Sequence, residues 1–246
     1  MTWMTPSEIV TYGFATSPVV MMNEAHNGMS RCPRTRQVGR EILPAAHEAG
    51  CRHLAMEAFP NVGETSILTL PPYDTAYLRQ PEMRAFVQAA TDLGWTFVAY
   101  EINHPDDDLS MKSTNRRELV QAENLVASWH EIDRAPMLVW CGNSHHAKLG
   151  GGGWVPMGVH FKNLAGLDQF SIDQTETISF TPGHRPYLEL TDELRRELAV
   201  RGGTSGFVAA DPPPGLVVPD HVDALILSTD NEMVGDPPIV SVRTAW

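Results

Sequence analysis

Long apolar runs are missing from this chain. Nowhere do about 18 apolar residues follow one another, the length a membrane-crossing helix needs. The first ten residues show no basic start followed by an apolar core, so no export signal is expected and the protein is read as cytoplasmic. Cysteine is scarce. Cys32, Cys51 and Cys141 are three in number and lack CxxC spacing, which leaves neither a disulfide framework nor a zinc knuckle. Cys51 opens one apolar run and Cys141 closes another, as small buried fillers do. Cys32, between Arg31 and Arg34 in a loop-like stretch, is read as the more exposed thiol. Positive charge is also in short supply: 18 basic side chains face 30 acidic ones, a formal charge of −12. A nucleic acid or an anionic membrane is therefore not the expected partner. No Gly-Lys-Ser/Thr follows the glycines at 150–153, so they make no phosphate loop; they read as a connector placed to act as a lid. Asp106-Asp107-Asp108 lacks the distal glutamate of an EF-hand and reads as a solvated capping run. No internal repeat is visible.

What is present is an alternation of strand and helix. An apolar run at 18–23 is followed by helical spacing over 36–49, where Val38, Ile42, Leu43 and Ala46 share a face and Gly50 provides the stop. A strand at 52–57, a helix at 82–93 closed by Gly94, a strand at 95–100, a long helix at 113–132 and a strand at 137–140 follow. This pattern predicts an α/β protein, a three-layer α/β/α sandwich around a mostly parallel sheet, forming one domain over 1–246. Farther on, alternation suggests a strand over 168–180, a helix over 191–201 with Thr191 as its cap, and a buried strand at 224–228. Residues 202–206 and 211–215 read as loops within a loop-rich part at about 202–220.

The polar residues are placed with a pattern. Glu24 and His26 follow the first strand, Glu57 ends the second, Glu101 ends the third, and Asn143, His145 and His146 follow the fourth. In open α/β sheets ligands collect beyond the carboxyl ends of the strands. Four strands emptying into charged or imidazole side chains at one rim therefore point to a site. The long helix adds Arg117 and Asn124, on a polar stripe with Gln121 and Ser128. That stripe lies about 200° from the apolar one of Leu119, Ala122, Val126 and Trp129 at 3.6 residues per turn. It is expected to lean over the rim and hold an anion. His47 and His53 read as helix-surface and strand-edge residues.

Together these segments resemble the erythromycin esterase / ChaN-like superfamily. The resemblance is carried by Glu24-Ala25-His26 with Arg31 beyond it, His53-Leu54-Ala55-Met56-Glu57-Ala58, and Arg117 to Asn124. It extends through Trp140-Cys141-Gly142-Asn143-Ser144-His145 and Asp223-Ala224-Leu225-Ile226. It implies an α/β/α sandwich whose active site sits at the rim. There His26 would act as general base, surrounded by Glu24, Glu57, Arg31 and His145. Two departures matter: the first acid and histidine are two residues apart rather than the three of the esterases, as in the ChaN-like and metallopeptidase branches, and the lipoprotein signal expected of the haem binders is not read in this sequence.

The residue types allow three readings. An imidazole of ordinary pKa about 6.5 can take a proton from water, and a carboxylate beside it sets its tautomer. In the leading reading His26 is that base in a hydrolase acting on a small-molecule ester, lactone or amide, and no cofactor is required. Glu57 or Glu24 orients the base, His145 donates, and Arg31, Arg117, Asn124, Glu101 and His146 hold substrate or oxyanion. The same base would equally serve a lyase or cyclase. In the second reading His26, Glu57 and His145 bind a divalent metal. In the third the pocket holds haem, with Tyr73, Tyr77 or Tyr100 as iron ligand. The oligomeric state, a homo-oligomer included, stays open.

Overall fold

The computed structural model describes residues 3–28, 30–61, 66–71, 77–102, 110–181 and 185–235. In chain order its elements are α1 (Pro6–Thr16), β1 (Val19–Glu24), β2 (Ser30–Arg31), α2 (Pro33–Glu48), β3 (His53–Pro60), β4 (Ile67–Leu68), α3 (Pro81–Asp92) and β5 (Thr96–Glu101). They continue as α4 (Met111–Glu131), β6 (Met137–Gly142), α5 (Met157–Ala165), β7 (Phe170–Asp173), α6 (Asp192–Val200), β8 (Thr204–Val208), β9 (Ala224–Ser228) and β10 (Val234–Gly235). Eight strands form one sheet in the order β4-β5-β3-β6-β1-β7-β9-β8. The inner strands are parallel, and only the edges β4 and β8 run antiparallel. Chain direction across the sheet reverses at β1, which neighbours β6 on one side and β7 on the other. Ligand crevices form at such switch points.

The period-two alternation of a strand sorts the apolar residues between two faces. Val20 and Met22 of β1, Leu54 and Met56 of β3, and Leu138 and Trp140 of β6 pack with Ile9 and Val10 of α1, Val38 and Ile42 of α2, and Phe86 of α3. Val19 and Met21, Ala55, and Val139 and Cys141 pack the other way, onto Leu125 and Trp129 of α4 and Phe161 of α5. Leu194 and Leu198 of α6 cover Phe207, Leu225 and Leu227 near the β8 edge. The expected three-layer α/β/α sandwich is the architecture observed. No helix among the described residues is long and apolar enough to cross a membrane.

Several local expectations are corrected. The strand expected over 168–180 stops at Asp173, because Asp173 Oδ1 accepts both the backbone N–H (2.5 Å) and the hydroxyl (2.8 Å) of Thr175 and turns the chain. Residues 202–206, read as loop, instead turn at Gly202 and Gly203 and enter the buried edge strand β8. There Gly206 meets Met4 of the segment leading into α1. Helix α1 is an addition to the elements expected, and its start is a capping box: Thr5 caps the Glu8 N–H while the Glu8 carboxylate accepts from the Thr5 N–H. Cys32 is buried rather than exposed, and burial pushes its thiol pKa up; Cys51, pushed up to about 12, and Cys141 are buried as expected. The glycines at 150–153 are pinned rather than lid-like: Asn115 Nδ2 donates to the Gly153 carbonyl at 2.8 Å, and Trp154 N–H to Gly151 at 3.0 Å.

Helix α2 reaches the sheet through Gly39. A methyl group there would meet the Trp140 ring at 2.6 and 2.8 Å and Phe86 at 3.2 Å. Alanine gains up to about 1 kcal/mol of helix propensity over glycine. Overpacking against a fully buried indole costs about 1–3 kcal/mol, so the steric cost wins. Gly39→Ala is expected to lower the urea midpoint with an unchanged slope, and a raised midpoint would show that α2 can back away from β6.

Candidate active site

The carboxyl ends of β1, β3, β5 and β6 bring five of the expected residues together. Beyond Met56 the β3–β5 register shifts, so Glu57 lies at an irregularity where β3 also leaves its ladder with β6. Bulges of this kind re-aim a side chain. Glu57 Oε1 accepts from Arg117 Nη2 at 2.5 Å, and its Oε2 accepts the Gly142 N–H at 2.5 Å. Arg117, on the first half of α4, also holds Glu101 through Nη2 and, at 3.2 Å, through Nε. His145 Nε2 stands 3.7 Å from Glu57 Oε1 and 3.5 Å from Arg117 Nη1.

His26 closes the group from the β1 side. Gly142 shows how close it comes: a Cβ there would meet Glu57 Oε2 at 2.9 Å and His26 Cδ2 at 3.0 Å, with His26 Nε2 nearer still. Imidazole and carboxylate thus converge over one glycine, where any side chain would displace them. Asn143, at φ 41°, holds the His26 backbone at both ends. It accepts the His26 N–H at 3.3 Å and donates to the His26 carbonyl at 2.9 Å. Asparagine tolerates that left-handed conformation better than most residues.

Burial and charge separate the two carboxylates. Burial raises the pKa of Glu57, but His145, Arg117 and His26 outweigh it and hold it down to about 2. Glu101 is raised, by burial first and then by the neighbouring Glu57 charge, against the pull of Arg117. Environments that push paired acids apart mark acid and base roles. The side chains stay within reach of solvent: Arg117 is 30% exposed, Glu57 15%, His145 16% and Glu101 12%.

A residue that sequence reading passed over completes the group. Glu118 is buried on α4, and its carboxylate accepts from His145 Nδ1 at 2.7 Å, Trp154 Nε1 at 3.1 Å and the Met157 N–H at 2.6 Å. It fixes the His145 tautomer with Nδ1 protonated, leaving Nε2 for the site. The available signal was a glutamate on the sheet-facing side of a helix that also carries Arg117.

Other expected residues sit elsewhere. Glu24 is fully enclosed beside His26 and paired with buried Arg36, which also holds Gln80 and lies over the Tyr77 ring; burial raises the Glu24 pKa. Arg31 braces Glu82 at 3.1 Å and the Gly235 carbonyl at 3.3 Å rather than facing the site. Asn124 donates to the Tyr100 carbonyl at 2.9 Å instead of leaning over the rim. The polar stripe of α4 therefore faces the sheet, with Gln121 on Glu101 and Ser128 on Ser66, and leaves Arg117 alone to serve the rim. His146 is fully buried and faces Asp173 rather than Glu57, with its pKa held down to about 4, chiefly by burial. Tyr100 donates its hydroxyl to the Trp140 carbonyl at 3.1 Å, which does not suit an iron ligand, and Tyr77 packs edge-on against His26. Tyr73 and Asp106-Asp107-Asp108 lie outside the described residues. Trp95 Nε1 donates to His47 Nδ1, and His53 Nδ1 contacts the Thr96 hydroxyl, so both histidines are structural.

The metal set expected from His26, Glu57 and His145 has Arg117 against its carboxylate. Among the described residues, the group whose donor atoms lie close enough to share an ion is Asp173, Glu176 and His221. A cleft of about 730 Å³ beside the His26 turn is lined by Asn27, Ser30, Phe180, Arg195 and Met233 and does not include the charged cluster.

The architecture and the rim cluster define an α/β/α protein with a polar site at the switch point of its sheet. No family model matches the chain, and no curated protein does. Solved structures do. A mutant of the erythromycin esterase EreC in its open conformation superposes with a TM-score of 0.58 over 97% of this chain and 100% of that one, at 9% identity, a likeness of fold. Two lesser similarities are the type III effector HopBA1 (TM-score 0.44, 13% identity, 75% and 93% covered) and RRSP, a MARTX toxin effector domain from Vibrio vulnificus (0.45, 16%, 70% and 36%). The chain spans 36% of the length of RRSP and of another bacterial toxin it resembles.

His145 generates a pH prediction. Burial lowers its pKa, but Glu57 and Glu118 outweigh it, so its folded pKa lies above 6.5. A raised pKa stabilises fully below the unfolded value, and that contribution is lost as pH rises through the folded one. Glu118→Gln is expected to destabilise more at about pH 5.5 than at about pH 9, and to lower the His145 midpoint in an NMR titration. An equal loss at both pH values would assign Glu118 a packing role alone.

Proposed function

We propose that the chain is a hydrolase-like enzyme that cleaves an ester, lactone or amide of a small molecule with water. One observation carries this reading: the His26 imidazole and the Glu57 carboxylate meet over Gly142, with Arg117 and His145 on the same carboxylate. His26 takes a proton from water as the oxygen attacks the substrate carbonyl. The carbonyl oxygen gains the negative charge, and Arg117 stabilises it together with His145 as an imidazolium, which donates one N–H to Glu118 and presents the other from Nε2. When the tetrahedral intermediate collapses, the bond to the leaving alcohol or amine breaks and His26 returns the proton to it. Glu57, held ionised, stabilises the transient His26 imidazolium. The fold likeness to an esterase is consistent with this chemistry, and the shared rim of four parallel strands supplies its frame.

A panel of chromogenic esters and lactones tests the proposal. His26→Ala is expected to lower kcat by roughly 100- to 10,000-fold, the range for removing a general base, with an unchanged far-UV circular dichroism spectrum. Glu57→Gln should fall in the same range. Arg117→Lys, which keeps the charge between Glu57 and Glu101 but loses the planar fork, should chiefly lower kcat/KM. A folded His26→Ala protein with unaltered turnover would remove the histidine from the chemistry.

A further inference from the structure

A second polar group lies across β1 and β6 from the charged cluster. Asp173 ends β7, Glu176 follows it in the same turn, and His221 comes from the loop that leads into β9. One donor atom from each of these three lies within 4.8 Å of the others, and His221 Nε2 is 3.8 Å from Glu176 Oε1. Asp173 and Glu176 are buried at 2% and 8% exposure, and among the described residues neither is paired with a lysine or arginine. Asp173 Oδ1 is occupied by Asn23 and Thr175, which leaves Oδ2 turned to the group.

An independent observation comes from His146. It is wholly buried, its ring nitrogens make no well-directed hydrogen bond among the described residues beyond a weak contact with the Asn143 backbone, and Nε2 stands 3.9 Å from Asp173 Oδ2. A buried polar atom without a partner costs about 1–3 kcal/mol, so the Nε2 turned toward Asp173 calls for an occupant. Two unpaired carboxylates beside two imidazoles attract a cation and offer it both nitrogen and oxygen. Donor atoms around a tetrahedral zinc ion stand about 3.3–3.6 Å apart for bonds of about 2.0–2.2 Å. Side-chain rotations close the remaining gap for Asp173, Glu176 and His221, and His146, outside that trio but 3.9 Å from Asp173 Oδ2, would turn in as the fourth donor.

We propose that Asp173, Glu176, His221 and His146 form a binding site for one zinc-class divalent transition ion. Four protein donors and three of them buried describe a closed, structural site rather than a catalytic one. The mixed donor set suits zinc, cobalt or nickel over magnesium or calcium, which take oxygen alone. The ion would tie the turn after β7 and the loop before β9 to the segment after β6. It would also reach the His26 turn, because Asn23 bridges Asp173 Oδ1 (3.0 Å) and the Asn143 carbonyl (2.6 Å) while Asn143 holds His26. The site does not depend on the hydrolytic reading.

Chelator-treated protein titrated with Zn²⁺ by calorimetry, and with Co²⁺ by visible absorption, tests the site. One equivalent is expected, with cobalt d–d bands of tetrahedral nitrogen and oxygen ligation and a higher Tm. His221→Ala, at the half-exposed ligand, and Glu176→Gln should each weaken binding by at least the roughly 10–100-fold seen for loss of an outer-shell partner. His145→Ala should bind zinc as the parent does. Absence of saturable binding, or loss in His145→Ala with retention in His221→Ala, would overturn the proposal, and neither result bears on turnover by His26.

Discussion

The Arg117 guanidinium between Glu57 and Glu101 is the contact on which the rim depends. Parallel pairing carries β3 and β5 to the same edge, with Pro60 opposite Glu101, so both carboxylates arrive there whatever their mutual repulsion. Two unit charges about 4–5 Å apart at an effective dielectric of 20 repel by on the order of 3–4 kcal/mol. A planar cation with several fixed donors answers both at once, and Gln121 adds a further hydrogen bond to Glu101. The surroundings of that contact set the two acids apart. Glu57 collects Arg117, His145, His26 and a backbone N–H, whereas Glu101 meets Glu57 as a neighbouring charge.

Around that contact the fold supplies rigidity by burying both faces of the sheet. The strands that end in functional groups are apolar on either side, so their ends cannot shift without disturbing one layer of helices or the other. β1 and β6 pair residue for residue from Val19 and Met137 to Glu24 and Gly142, which sets His26 and Asn143 in adjoining turns. The narrow space over Gly142 then lets imidazole and carboxylate converge. Polar residues sit on both sides of this pair of strands, the partly exposed Glu57 and His145 on one and the buried Asp173 and His146 on the other, with Asn23 and Asn143 linking them.

Much of this was legible because strands and their ends leave strong marks. The apolar runs closed by Glu24, Glu57 and Glu101, and by Gly142 before His145, announced both the parallel sheet and the rim. Helix α4 was legible as a helix but not in its orientation. Its polar stripe looked solvated or ligand-facing, yet Gln121, Asn124 and Ser128 hydrogen-bond to the sheet and its neighbours. Polar residues can line a buried face when each finds a partner, and a sequence does not display partners that lie 20 or more residues away. Glu118 was missed for that reason, and Arg36, the buried partner of Glu24, drew no notice in the sequence either.

The order of the chain by itself determined the layered α/β/α architecture and the fact that acids and histidines gather at strand ends. Local periodicity and strand length encode these directly, and burying apolar faces leaves few other solutions. Tertiary structure alone decided which polar groups meet. His145 and His146 are adjacent in sequence, yet one joins Glu57 and the other Asp173, because neighbouring residues in a turn point to different sides of the sheet. Charge pairing across long separations, as between Arg117 and Glu57, depends on how helices dock, and docking is set by the whole core rather than by any one segment.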